Sequence, residues 1–127
     1  DFDPAKAHNF FSAHCFNIAW ELIDKPERTT EENEQMIQRT MASLWHWAQR
    51  PDCSPTNLSI GYWQTARVYA LAGEAANARK YARLCLGYVH EAMARAEALA
   101  GNQELANEHL AKAEDRKLLE ADLAALA

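Results

Sequence analysis

Ala66-Arg67-Val68-Tyr69-Ala70-Leu71-Ala72-Gly73 is answered, 28 residues further on, by Ala94-Arg95-Ala96-Glu97-Ala98-Leu99-Ala100-Gly101. Each copy reads as the end of a helix closed by a glycine, and in each a small residue follows five positions after the glycine, Ala78 in one and Ala106 in the other. Glycine enters the left-handed turn region without steric penalty, and small side chains let the two arms of a hairpin approach closely. An internal duplication of this kind decides the architecture before any single residue does.

Outward from the duplication, the remaining punctuation is also helical. Asp3-Pro4 is an N-cap followed by proline at the first helical position, and Phe11, Cys15, Ile18 and Leu22 then recur on one face. Lys25-Pro26-Glu27-Arg28 breaks that helix. Thr29-x-x-Glu32 is a capping box that opens a second helix with Ile37, Met41, Leu44 and Ala48 on its apolar face. Ser54-Pro55 starts a third, with Tyr62, Ala66 and Tyr69 aligned, which stops at Gly73. A fourth carries Ala78, Tyr81 and Cys85. The segment from Gly87 to Gly101 reads as a fifth, and the chain from Asn102 onward as one helix or more. No stretch reads as strand, so the expected class is all-α.

The pattern of Ala66, Tyr69, Gly73 and Ala78, and of Ala94, Gly101, Ala106, Leu110 and Ala113, resembles the tetratricopeptide repeat. The likeness covers roughly residues 59–116. Glu97 stands where the family has an aromatic, Ala82 where it has a larger residue, and neither copy keeps the closing proline. The resemblance implies antiparallel hairpins stacked in a right-handed superhelix, here with hairpins at about 4–50, 55–86 and 87–116 and a capping helix to 127. Leu44-Trp45-His46-Trp47 with Ile60-Gly61-Tyr62-Trp63 is also similar to small uncharacterised bacterial helical-repeat proteins, which bring no known activity.

The repeat period is anomalous. The family needs about 34 residues, six more than separate Gly73 and Gly101. The shortfall falls at Leu84-Cys85-Leu86-Gly87-Tyr88, where one hairpin should give way to the next. Either a single helix runs from Glu74 to Ala100, or a short loop between Leu86 and Gly87 is absent. The second reading keeps the hairpin geometry and is preferred on that ground.

Composition narrows the function classes. The 127 residues carry a formal charge of −5 and no basic stripe, which argues against nucleic acid as the partner. The apolar stretches are too short for a membrane span and no leader pattern opens the sequence. Three scattered cysteines make no disulfide framework or CxxC pair, so the expected location is the reducing cytoplasm.

Candidate chemistry is thin. His14 and Cys15 are adjacent on a helix and point in different directions, and no HExxH or ExxH pair is present, so neither a metal nor a cofactor is expected. Cys15 and Cys85 read as small core hydrophobes, whereas Cys53, in the loop Pro51–Pro55, is the one thiol read as a candidate for reactivity. No nucleophile elbow, P-loop or dinucleotide fingerprint occurs, and the expectation is a protein without catalytic activity. The resemblance places Trp63, Arg67 and Ala70, with Tyr88, Glu91, Arg95 and Ala98, on a concave partner-binding face. Arg67 and Arg95 hold equivalent positions. They would either grip a carboxylate of a protein or peptide partner together or pair with glutamates of their own hairpins. Trp20, Trp45 and Trp47 either fill the contact between the first hairpin and the repeats or border a small-molecule pocket. Leu119, Leu123 and Leu126 form a terminal stripe that would cap the stack or pair with a second copy in a homodimer.

Overall fold

The structure, a computed structural model, describes residues 1–113. They form α1 (Pro4–Ile23), α2 (Thr30–Gln49), α3 (Pro55–Leu71), α4 (Ala75–Leu99) and a fifth helix, α5, at residues 103–113, with no strand among them. The class is all-α, and successive helices pack on one another. The stripe at Leu119, Leu123 and Leu126 lies outside the described residues.

Local chemistry fixes the ends. Asp3 accepts from the Ala5 N–H at 3.0 Å, with Pro4 at the first helical position. Arg28 closes the other end of α1, its Nη1 donating to the carbonyls of Leu22, Ile23 and Lys25 at 3.2, 3.4 and 2.8 Å. The last carbonyls of a helix lack i+4 donors, and a cation is favoured at that end of the dipole. Thr29 and Glu32 form the reciprocal capping box, and Ser54 and Asn57 form a second one at α3.

Both duplicated glycines are in the left-handed region, Gly73 at φ 81° and Gly101 at φ 85°. At the first, the Gly73 N–H reaches the Ala70 carbonyl and the Glu74 N–H the Tyr69 carbonyl. At the second, Gly101 reaches Ala98 and Asn102 reaches Glu97. These are two Schellman caps of identical pattern. Glu97 also accepts from the Asn102 side chain at 2.8 Å, a use for the residue that departs from the repeat pattern.

The turn expected at Leu86–Gly87 is absent. α4 is one helix of 25 residues, about 38 Å long at 1.5 Å per residue, and it passes straight through Gly87. The divisions at 55–86 and 87–116 are corrected accordingly: α3 and α5 both pack along a single α4. The reason is physical. Neither proline nor a capping residue interrupts Leu84 to Tyr88, and a lone glycine costs only about 1 kcal/mol in a helix. Gly87 is buried, and the Tyr88 ring beside it stacks on Tyr62 of α3 at 5.3 Å and 3°.

That stack is part of a ladder. Tyr69, Tyr81, Tyr62 and Tyr88 alternate between α3 and α4, with successive ring centroids 5.4, 6.0 and 5.3 Å apart and planes within 18°. Aromatic pairs of this kind contribute on the order of 1 kcal/mol each beyond their buried area. Burial raises the Tyr62 and Tyr69 phenols above their ordinary value, with neighbouring tyrosines adding to it.

The core between α1, α2 and α3 is small: Ala19, Leu22, Ile23, Met36 and Val68, with Trp20 and Ile37 against it. Polar side chains fill the rest. Ser43 donates to the Ser12 carbonyl at 2.7 Å, tying α2 to α1. Gln64, fully buried, donates to the Phe16 carbonyl at 3.1 Å and ties α3 to α1. Gly61 sits where α3 crosses α2, and a Cβ there would lie 2.8 Å from Leu44 Cδ1.

Candidate functional site

α3 has two working faces. Gly61, Gln64, Thr65 and Val68 turn into the core, and Tyr62, Ala66 and Tyr69 turn toward α4. That leaves Ile60, Trp63 and Arg67, spaced at three and four residues, on a third, exposed face. Ile60 and Trp63 keep 46% and 45% of their surface open to solvent.

The apolar face continues on both sides of α3. Toward α1 and α2, Ala13, Phe16, Asn17, Trp47, Asn57, Ile60 and Gly61 line a half-open cleft of about 140 Å³. Toward α4, Ser59, Ile60, Trp63, Cys85 and Val89 line a shallower depression of about 240 Å³. Ile60 borders both. Trp63 leans on Trp20 of α1 at 5.8 Å between centroids, and the Arg67 guanidinium lies over the Trp20 ring at 5.8 Å, within cation–π range. Among the described residues Arg67 has no carboxylate partner.

Of the residues expected on this face, Trp63 and Arg67 are there and exposed. Tyr88 is not: its ring belongs to the ladder between α3 and α4. Glu91 and Arg95 pair with each other at 3.4 Å, one helical turn apart. The two arginines do not converge. With Tyr62 opposite Tyr88 on antiparallel helices, Arg67 is five residues up α3 and Arg95 seven residues down α4, about 18 Å apart along the axes. The unbroken α4 causes this separation, because the expected turn would have folded Arg95 back beside Arg67.

The three candidate pocket tryptophans also part company. Trp20 packs on the core and on Trp63. Trp47 lines the cleft and lies under the Arg50 guanidinium, 4.0 Å from its ring centre. Arg50 is held in turn by Asp52 at 2.9 and 2.7 Å and by Ser12 Oγ at 3.1 Å, so the α2–α3 loop is fastened to α1. Trp45 is 56% exposed on the opposite side of the first hairpin, beside His8 and His46.

The three thiols are partly buried. Burial raises the pKa of Cys15, Cys53 and Cys85 above the ordinary value, and at Cys53 the Asp52 carboxylate adds to the effect. A raised pKa lowers the thiolate fraction at neutral pH, which does not favour Cys53 as a nucleophile. No group of three or more His, Cys, Asp or Glu side chains converges on a metal-sized site among the described residues. No helix among them is long and apolar enough to cross a membrane.

Fold and surface together define an all-α chain of packed antiparallel helices with an exposed apolar face across α1, α3 and α4. Comparison with protein-family models, with curated proteins and with solved structures finds no match.

Proposed function

We propose that the chain is a helical-repeat adaptor that binds a segment of a partner protein across α1, α3 and α4. The observation that carries this reading is the exposure of Ile60 and Trp63 between two apolar depressions, with the unpaired Arg67 one turn beyond. A contiguous exposed patch of aromatic and aliphatic side chains is the mark of an interaction surface, and Trp and Arg are the usual anchors. The partner segment places apolar side chains on either side of Ile60 and a carboxylate against Arg67. In this reading α1–α2 and α3–α4 are successive hairpins of a tetratricopeptide-like stack, with α3 resting on both helices of the first. The contacts of Gln64 with Phe16 and of Gly61 with Leu44 support that arrangement.

Site-specific photo-crosslinking from position 60 in living cells, read by mass spectrometry, tests it. A discrete cross-linked protein is expected, lost with Trp63→Ala and weakened with Arg67→Ala, while Arg95→Ala leaves it unchanged. A cross-linking pattern indifferent to Trp63→Ala removes the face as a docking site.

The Trp47 cleft favours a second reading, binding of a small apolar molecule. A cavity of about 150 Å³ takes one aromatic ring. Titration with benzene, read by chemical shifts of residues 13, 57 and 60, tests it: saturable shifts at these positions support the second reading, and their absence removes it.

A further inference from the structure

Four of the five histidines meet in pairs across helix boundaries, His8 with His46 and His90 with His109. The first pair joins the beginning of α1 to the end of α2, with Nδ1 to Nδ1 at 2.8 Å and ring centroids 5.1 Å apart. The pair is set among rings. Trp45 stands edge-on to both imidazoles, Phe11 lies 5.5 Å from His46, and Phe10 bridges Phe11 to His14. Phe10 and Trp45 are more than half exposed, so outward of the Ser43–Ser12 and Arg50–Ser12 hydrogen bonds this end of the hairpin is held by ring contacts and by the imidazole–imidazole hydrogen bond.

Two facing Nδ1 atoms at hydrogen-bond distance share a single proton: one ring donates and the other accepts. A first added proton settles on the outer nitrogen of the donor ring, and the contact survives as a charged hydrogen bond. A second has only the accepting Nδ1 to occupy, and there it both removes the acceptor and sets two cations against each other. We propose that His8 and His46 form a proton-operated latch, which holds the outer ends of α1 and α2 together and releases them when the pair takes its second proton.

The surroundings leave that second charge uncompensated. The positions one turn away are Pro4, Ala5, Phe11 and Ser12 around His8, and Ala42, Ser43, Gln49 and Arg50 around His46, with no carboxylate among them. Arg50 is engaged by Asp52 and Ser12. Burial first, and then the charge of His8, lower the pKa of His46 below the ordinary imidazole value, and His8 is the only charged group that weighs on it. The released state is favoured below the ordinary imidazole value of about 6.5.

Histidine side-chain nitrogen NMR of the whole chain across pH 8 to 4.5 tests the latch. Two coupled protonation steps are expected for the pair, about one pH unit or more apart. The lower step should coincide with a shift of the Trp45 indole signal and with loss of hydrogen-exchange protection over residues 7–12. His46→Gln should convert His8 to a single step and abolish the linked change at Trp45, whereas His14→Gln should leave both intact. His8→Gln serves as the reciprocal variant should the more buried position disturb folding. Independent single steps for His8 and His46 in the unaltered protein, or a lower step that leaves Trp45 and residues 7–12 unmoved, overturn the proposal.

Discussion

Replacing Gly73 with alanine isolates the cost of one backbone angle. At φ 81° an L-residue is strained, yet a Cβ built there meets no atom within 4 Å, so no steric clash contributes. The left-handed conformation costs an L-residue about 1–2 kcal/mol. Alanine also narrows the unfolded ensemble, which returns about 0.4–1 kcal/mol. A net loss of about 1 kcal/mol follows, or a fall in Tm of roughly 4 °C for a domain of this size. Asparagine tolerates the left-handed region, so Gly73→Asn should lose clearly less than Gly73→Ala. Gly101→Ala, in the twin cap and equally unobstructed, should incur the same backbone strain at the α4–α5 turn. Urea unfolding followed by circular dichroism reads all three variants. Equal losses for the asparagine and alanine variants would falsify the strain argument, since steric exclusion rather than φ would then govern the site.

Gln64→Ala should cost about 2–3 kcal/mol, combining a cavity at a fully buried site with the lost hydrogen bond to α1. Gln64→Leu keeps the volume and leaves the Phe16 carbonyl its helical donor, so its loss should stay within about 1 kcal/mol by the same urea titration. The raised phenols of Tyr62 and Tyr69 make stability fall at alkaline pH. Below the unfolded value of about 10 both states bind the proton and the ladder's contribution is intact; it is lost as pH rises from there through the folded values. Absorbance at 295 nm, with Tyr62→Phe and Tyr69→Phe to assign the signal, should show these two tyrosinates forming late and together with unfolding, and Tyr62 and Tyr69 titrating at the ordinary value in a folded protein would contradict their burial.

The ends of the helices were legible because capping is local chemistry. Asp3-Pro4, Thr29 with Glu32, Ser54-Pro55, Gly73 and Gly101 all act where their sequence context places them. The buried faces were read less well. On α2 the spacing points to Ile37, Met41, Leu44 and Ala48, whereas Met36, Thr40, Ser43 and Leu44 are buried. α2 is flanked by both α1 and α3, which rotates its contact line, and the buried residues include hydroxyls that hydrophobic patterning passes over. Gln64 escaped notice for the same reason. Trp63 and Arg67 were legible on the partner face, and Ile60, three residues before Trp63, carried the same signal. Tyr88 and Arg95 were misplaced by one error: the turn assumed at Gly87 changes the position of everything after it. The histidine pairs, 38 and 19 residues apart in sequence, depend on tertiary packing and left no local trace.

In a stack of separate hairpins every loop is a place where unfolding can stop, so terminal units open while their neighbours stay closed. The unbroken α4 removes that stopping point, because the helix that supports α3 is also the helix on which α5 rests. α3 grips that helix through Tyr81 and Tyr88 and α5 through His90, so loosening α4 at either contact removes support from the other. The two duplicated turns are therefore coupled through one rigid element, and damage at either should be felt at both.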